Sequence, residues 1–233
     1  MIPLRDNNPT RRPPVVIYVF VALNVAVFLF EVALGPQGMA LFTEHFGVVP
    51  YDLTQEVRPD AWITPLTSMF MHGGWMHIIG NMWFLWIFGD NVEDSLGRGR
   101  FVVFYLLCGL GAVALQVAVN PMSQTPMIGA SGAVSGVLAG YVMLFPHARI
   151  LTLVPIFIFL QFVELPAYLF IFIWFGYQLL AGLVQFGQVK AGGGGVAWWA
   201  HIGGFVVGIA LARLFRKHRH PPRRYAPPRF DRW

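Results

Sequence analysis

Residues 129–145 read GASGAVSGVLAGYVMLF, and residues 197–215 read AWWAHIGGFVVGIALARLF. The first apolar run opens on Ser131 between two glycines, and the second opens on His201. A serine hydroxyl becomes a nucleophile when a base within hydrogen-bond reach takes its proton, and histidine suits that role because its pKa lies near neutrality. Because both runs are apolar enough to enter a bilayer, the pattern predicts a serine nucleophile and its base inside a membrane.

The composition of the whole chain also predicts a membrane protein. Of the 233 residues, 56% are hydrophobic and 12% are charged, which is about half of the charged fraction usual in soluble domains. We expect an all-α membrane protein with a polar N-terminal segment (1–14), a membrane domain (15–215) and a basic, Pro-rich tail (216–233) that is disordered. The apolar runs predict six spanning helices, at residues 15–34, 75–88, 101–119, 131–145, 167–186 and 197–215.

The segments between the predicted spans are loops. Residues 35–62 form a long loop, residues 192–195 form a flexible glycine loop, and a charged turn follows the second span. Residues 146–165 are apolar but interrupted by proline, so we expect a partly buried connection there. Glu31 and Glu164 are interpreted as bundle-facing or interfacial residues without a chemical role. The single cysteine, Cys108, excludes an internal disulfide.

The positive charges predict the orientation in the membrane. If both termini are cytoplasmic, 14 of the 16 Lys and Arg residues lie on the inside, and only Arg58 and Lys190 lie outside. Because the positive excess lies mainly in the tails, the net charge does not indicate nucleic-acid binding. The chain shows no organelle-targeting features, which favours a bacterial plasma membrane. Binding of lipid headgroups by the basic tail is left open.

Polar residues of three predicted spans share one depth under this topology. His77, Asn81, Ser131 and His201 all lie in the first turns of spans that run from outside to inside. Polar groups at membrane depth tend to face a bundle interior or a water-filled cavity. His77 and Asn81 are four residues apart and share a helix face, so they could donate hydrogen bonds to an oxyanion together with the Ser131 N–H. The alternative is a pair of polar residues that only pack helices together.

Helix packing offers an alternative interpretation of the serine and glycine motif as well. Ser131 could be a helix N-cap, with Gly129 and Gly132 serving only close approach. Two stripes of small residues predict that the fourth and sixth spans lie close together; they are Gly132, Gly136 and Gly140 on one and Ala200, Gly204, Gly208 and Ala212 on the other. Such contact would also bring Ser131 near His201. No Asp or Glu lies in the outer half of the second, fourth or sixth span, so the residues favour a dyad.

The histidines also raise the question of a metal site. His72, five residues before His77, could instead support the loop through hydrogen bonds. No His-Glu-x-x-His motif, nearby carboxylate or thiolate accompanies these histidines, which argues against a metal. We expect neither a metal nor an organic cofactor.

Four stretches in order resemble the rhomboid family of intramembrane serine proteases. They read HGGWMHIIGN at 72–81, EDSLGRGRF at 93–101, GASG at 129–132 and AHIGG at 200–204. The resemblance covers residues 14–215 and implies a six-helix bundle. It implies Ser131 as nucleophile, His201 as base, and His77, Asn81 and the Ser131 backbone as oxyanion donors, with Gly129 and His72 in support.

The resemblance further implies an endopeptidase that cuts transmembrane segments of other membrane proteins through an acyl-enzyme, with small residues at the cleavage site. Substrates would enter from the bilayer past a mobile wall formed by the fifth span, with its aromatic residues Phe170, Phe172, Trp174 and Phe175. The loop at 35–62 would lie partly embedded at the side of the bundle.

Two positions depart from the pattern of many relatives. Trp62 is followed by Ile63, where relatives carry a Trp-Arg pair. Ser135 occupies the position, one turn after the nucleophile, where many relatives carry an aromatic residue that stacks on the base. The orientation of His201 must then come from other residues.

Two other functions remain as alternatives. One is a non-catalytic relative that binds membrane helices, and the other is a small transporter or channel that uses the histidines. The absence of a carboxylate relay and of an internal repeat argues against transport. The sequence leaves the substrate and the oligomeric state open.

Overall fold

The computed structural model describes residues 1–156, 159–188 and 197–216. The predicted glycine loop at 192–195 and all but the first residue of the predicted tail therefore lie outside the described residues. The elements in chain order are β1 (Ile2–Asp6), α1 (Val15–Ala33), α2 (Gly35–Phe46), α3 (Pro50–Thr54), α4 (Thr64–Thr67), α5 (Trp75–Leu96), α6 (Arg98–Val119), α7 (Ser131–Leu144), β2 (Arg149–Ile156), β3 (Phe159–Pro166), α8 (Ala167–Gln188) and α9 (Trp198–Phe215).

Helices occupy all six segments predicted to span the membrane. Four of them are long and apolar enough to cross a bilayer over the described residues, namely Val15–Ala33, Arg98–Val119, Ala167–Val184 and Trp198–Phe215. The fourteen residues of α7 are apolar but rise only about 21 Å, less than the roughly 30 Å of a hydrocarbon core. The α5 helix is long but carries carboxylates in its last two turns.

The charged turn predicted after the second span is wrong, because α5 continues as helix to Leu96 and α6 begins at Arg98. Gly97, with φ +81°, makes the break between α5 and α6. The extension of α5 has a structural use: the buried Glu93 carboxylate accepts hydrogen bonds from the backbone N–H groups of Val16 (3.1 Å) and Ile17 (3.0 Å). These two N–H groups open α1 and have no acceptor within their own helix, so a carboxylate there satisfies them and complements the helix dipole.

The expected loop at 35–62 contains its own helical structure. It holds α2, α3 and most of a 3-10 helix at Pro59–Ile63, followed by α4 and a second 3-10 turn at Ser68–Phe70. The backbone N–H of Val48 donates to the Met127 carbonyl, and the Met127 N–H donates back to Val48. This exchange ties the segment to the residues that lead into α7.

The α7 helix forms the centre of the bundle. Every residue from Gly132 to Val142 is buried, and the helix packs most closely against α9. A Cβ on Gly204 of α9 would overlap the carbonyl oxygen of Gly132, and a Cβ on Gly208 would overlap that of Gly136. The predicted close approach of the two small-residue stripes is therefore confirmed, because only hydrogen at these positions lets the backbones meet.

The expectation of an all-α chain is wrong in one region, since β1, β2 and β3 form an antiparallel sheet in that order. Ile2 lies opposite Leu153 and Asp6 opposite Ile150, while β2 pairs with β3 from Arg149–Pro166 to Ile156–Phe159. The prolines in the run at 146–165 predict a partly buried connection. Its β-branched and aromatic residues instead favour the two strands β2 and β3. The remaining strand of the sheet, β1, comes from the N-terminal end of the sequence.

The sheet is fastened to the helices through β1. The indole Nε1–H of Trp83, on α5, donates to the Pro3 carbonyl at 2.6 Å. The Tyr141 hydroxyl, near the end of α7, donates to the Asp6 carboxylate at 2.5 Å. Burial raises the pKa of Asp6 to about 7, although the hydrogen bond from Tyr141 acts in the opposite direction. The N-terminal strand therefore spans from α5 to the end of the central helix.

Candidate active site

The side chains of Ser131 and His201 meet at the start of α7 and α9. The Ser131 Oγ lies 2.8 Å from Nε2 of His201, although the two residues are 70 positions apart in sequence. Ser131 is the first residue of α7, with Ala130 rather than Ser131 in the N-cap position and no side-chain cap bond. Its hydroxyl is therefore directed at the imidazole, and the interpretation of Ser131 as an N-cap is wrong.

The opposite side of the His201 ring contacts α8. Nδ1 of His201 lies 2.8 Å from Oε1 of Gln178, a residue that is only 5% exposed. The ring also lies against two indoles, those of Trp174 (centroids 6.3 Å apart) and Trp198 (5.9 Å). These three residues surround the His201 ring, whereas many relatives carry an aromatic residue at the position of Ser135.

Ser135 itself is bonded to the backbone. Its hydroxyl donates to the Ser131 carbonyl at 2.7 Å, which is the usual i to i−4 bond of a serine within a helix. The side chain is buried. Ser135 is therefore a second serine on the same helix whose hydroxyl is engaged one turn away from the dyad.

Gly129 brings the backbone before Ser131 close to His77. It has φ +127°, and a Cβ there would lie 2.7 Å from Nε2 of His77. Glycine is required at such a position, both for its conformation and for the space. The Gly129 N–H donates to the Ser68 carbonyl at 2.8 Å, so Gly129 contributes shape to the site and its N–H is already engaged.

Asn81 lies one turn after His77 on α5. It is buried, and its Nδ2 has no hydrogen-bond partner among the described residues. A buried amide donor without an acceptor is costly unless a ligand or water supplies one. The Ser131 N–H is similarly free of an intrahelical acceptor, because it is the first of its helix. Both residues line the same cavity as His77.

His72 packs against His77 and does not belong to the hydrogen-bonded pair of Ser131 and His201. Its ring is fully buried and lies edge-on to the His77 ring, with centroids 5.1 Å apart. Neither ring nitrogen of His72 has a partner among the described residues. Its backbone N–H, however, donates to the buried Glu31 carboxylate of α1 at 3.1 Å. Glu31, which the sequence alone indicates to be without a chemical role, thus holds the loop that precedes α5.

The Ser131 and His201 pair lies at an open cavity of about 880 Å³. Side chains from α5, α7, α8 and α9 line it, including His77, Asn81, Ser131, Gln178 and His201. Gln116 of α6 lies at the same cavity and accepts a hydrogen bond from the Ala200 N–H at 3.2 Å. Gln178, Gln116 and Glu31 were not predicted as site residues. The available signal was that each is a polar residue within an apolar span.

Similar proteins carry the name of the family that the sequence resembles. Rhomboid protease GluP of Bacillus subtilis is 34% identical over 127 residues, which are 54% of this chain and 24% of that protein. Rhomboid protease GlpG of Klebsiella pneumoniae is 28% identical over 199 residues, 83% of this chain and 60% of that protein. Rhomboid-like protein 11, chloroplastic, of Arabidopsis thaliana is 29% identical over 136 residues, 58% of this chain and 44% of that protein.

This chain thus spans less than two thirds of the length of each of these relatives. Because chloroplastic and mitochondrial proteins occur among the relatives, the bacterial plasma membrane stays a prediction. The apolar helices and the relatives together identify a multi-pass membrane protein. A protein-family model described as Rhomboid domain matches residues 59–218. That match covers more than half of the chain, and the chain belongs to the rhomboid family.

Proposed function

We propose that this protein is an intramembrane serine endopeptidase in which Ser131 is the nucleophile and His201 the general base. The observation that carries the proposal is the 2.8 Å contact between Ser131 Oγ and His201 Nε2 at the wall of an open cavity. In the apolar interior of a bundle, a serine and a histidine from separate helices meet at hydrogen-bond distance beside space for a substrate. This is the arrangement that nucleophilic catalysis requires.

The first half of the reaction forms an acyl-enzyme. The Ser131 Oγ attacks the carbonyl carbon of the scissile peptide while its proton passes to Nε2 of His201. The tetrahedral intermediate then collapses, the C–N bond breaks, and His201 gives the proton to the leaving amine. In the second half, water attacks the ester with His201 again as base, which releases the new carboxyl end and restores the Ser131 hydroxyl.

The negative charge of the intermediate requires donors that are already in place. Ser131, Asn81 and His77 all line the cavity, and the proposed donors are the Ser131 N–H, the Asn81 amide and the His77 ring. The Nδ2 of Asn81 has no partner among the described residues, which supports this assignment, because an oxyanion would supply an acceptor. Donors fixed in advance in a water-poor site stabilise the transition state without reorganisation.

The proposed substrates are transmembrane segments of other proteins, which enter the cavity from the bilayer past α8. We also propose six spans with both termini in the cytoplasm. The pairing of β1 with β2 supports this topology, because it brings the N-terminal segment to the same end of the bundle as the α7–α8 connection. The hydrogen bond from the Arg11 N–H to Asp94 brings the α5–α6 junction to that end as well. Arg5, Arg98 and Arg149 then share one side.

Labelling of the detergent-solubilised protein with a fluorescent fluorophosphonate tests the dyad directly. We expect the wild type to be labelled, and Ser131→Ala and His201→Ala to lose labelling by at least about 100-fold, since removing a nucleophile or its base removes most of the rate. Ser135→Ala is the matched control, because it deletes a hydroxyl from the same helix that is bonded to the backbone. It should be labelled like the wild type.

Labelling of a folded Ser131→Ala variant at the wild-type rate would refute the assignment. A folded wild type that does not react would favour the non-catalytic helix-binding alternative. A transporter or channel would instead show flux in liposomes that survives Ser131→Ala. The cleavage step itself is tested by incubating the wild type and Ser131→Ala with a transmembrane segment in liposomes, followed by mass spectrometry of the products.

A further inference from the structure

Each ring nitrogen of His201 makes one hydrogen bond, and the bond at Nδ1 determines whether Nε2 donates or accepts in the other. Nε2 faces Ser131 Oγ and Nδ1 faces Gln178 Oε1, both at 2.8 Å. An amide oxygen carries no proton and can only accept a hydrogen bond. Nδ1 must then carry the proton of the neutral ring, which leaves the lone pair on Nε2 directed at the serine hydroxyl. This tautomer is the one that can take the Ser131 proton.

The bond between Nδ1 and Gln178 connects His201 to α8, the least buried of the four long apolar helices. Of the 18-residue apolar stretch in α8, 28% is buried, against 44% of that in α9 and 39% of that in α6. Its outward side chains, such as Tyr177, Leu180 and Leu183, are more than half exposed on the bundle surface. Gln178 is a polar side chain that α8 turns inward, and Trp174, one turn earlier, lies against the His201 ring. Two residues that contact the His201 ring, Gln178 and Trp174, therefore lie on α8.

We propose that Gln178 is a positioning residue that fixes the tautomer and orientation of His201, so that Ser131 is activated only while α8 lies against α9. The proposal rests on the proposed protease function for its effect on rate. It assigns to Gln178 the role that a stacking aromatic residue at the position of Ser135 plays in many relatives. When α8 moves outward, Gln178 leaves Nδ1, and the imidazole is free to rotate and to exchange its proton.

The first test compares the rates of two variants of Gln178 with the wild type. Gln178→Met keeps the length of the side chain but removes the acceptor, and kcat for a transmembrane substrate should fall about 10- to 100-fold because a buried N–H loses its partner. KM should change by less than about two-fold, as expected when the loss acts on the transition state alone. Gln178→Glu keeps an acceptor opposite Nδ1 and should restore most of the lost kcat.

The second test reads the tautomer without any need for activity. Nitrogen-15 spectra of histidine-labelled protein are recorded in the Ser131→Ala background, with His201→Ala to assign the signal. We expect the Nδ1–H tautomer in Ser131→Ala and a shift toward a mixture of tautomers when Gln178→Met is added. Gln116→Met is the matched control, because Gln116 is also buried but bonds the Ala200 backbone; it should leave the tautomer unchanged.

The outcomes separate this inference from the function on which it rests. An active protease in which Gln178→Met retains both kcat and the tautomer would overturn the positioning role. A changed tautomer with unchanged kcat would overturn the link between α8 and the reactivity of Ser131. If the wild type does not react with the fluorophosphonate while the tautomer still follows Gln178, the protease proposal fails and the positioning of His201 by Gln178 stands.

Discussion

Replacing Gly204 by alanine should break the contact between Ser131 and His201 although neither residue is changed. Gly204 of α9 faces Gly132 of α7, and a Cβ at this position would overlap the Gly132 carbonyl oxygen and lie 3.3 Å from its Cα. Both atoms belong to backbone, which cannot move aside as the end of a flexible side chain can. The two helices must therefore separate to admit the methyl group.

The separation can be translated into an effect on the site. A carbon and a carbonyl oxygen approach to about 3.3 Å at closest in ordinary contacts, so α9 must move by about 1 Å or more. His201 precedes Gly204 by three residues, and Ser131 precedes Gly132 by one. The same displacement stretches the 2.8 Å contact between Ser131 Oγ and His201 Nε2 beyond hydrogen-bond distance. A misplacement of about 1 Å lowers an enzymatic rate about 100-fold, and overpacking costs about 1–3 kcal/mol.

The rate constant of fluorophosphonate labelling measures the first effect and thermal unfolding measures the second. Cys108 is the single cysteine of the chain and is buried, so its reaction with a thiol-reactive dye reports unfolding. Gly176→Ala is the matched control, because it makes the same change within α8, where a Cβ would meet no described residue within 4 Å. We expect Gly204→Ala to label about 100-fold more slowly and to unfold at a lower temperature, and Gly176→Ala to label normally. Wild-type labelling and stability in Gly204→Ala would refute the reasoning.

Two further predictions concern the parts of the fold that surround the dyad. Glu93→Ala should lower the free energy of unfolding by about 1–3 kcal/mol, because it leaves the first N–H groups of α1 without an acceptor; Glu93→Gln should recover part of the loss, and unchanged dye reactivity of Cys108 in Glu93→Ala would contradict the capping role. The pairing of β1 should weaken with rising pH, because burial raises the pKa of Asp6 to about 7, above the usual value near 4. The stabilisation is then complete below about pH 4 and is lost as the pH rises through about 7. The opening of residues 2–6, taken as the hydrogen-exchange rate divided by the intrinsic rate at each pH, should increase over that range in the wild type and stay flat in Asp6→Asn; equal pH dependence in both would count against a role for Asp6.

The strongest predictions from sequence were those based on helical repetition. The spacing of Gly132 and Gly136 on one span and of Gly204 and Gly208 on another is a local property of the chain, and it specifies which faces can approach closely. The structure confirms that approach. The meeting of Ser131 with His201 is compatible with it, because each residue lies beside its stripe. The catalytic roles of these two residues remain predictions until labelling is measured.

The errors occurred where the deciding contact is remote in sequence. The strands at 149–166 look like an apolar, proline-broken connection, and nothing local shows that residues 2–6 will pair with them. In the same way, the charged residues after the second span read as a turn, whereas Glu93 continues α5 because its carboxylate reaches the start of α1.

The sequence by itself determined that this chain enters a membrane, where its six apolar helical segments lie and which small-residue faces can touch, because hydropathy and helical periodicity are properties of neighbouring residues. Only the tertiary structure decided which residues hold the His201 ring. Gln178 precedes His201 by 23 positions on a different helix, and a polar residue in an apolar span does not reveal its partner. That partner is set by how α8 and α9 pack, since a hydrogen bond extends only about 3 Å and depends on the rotation and depth of both helices.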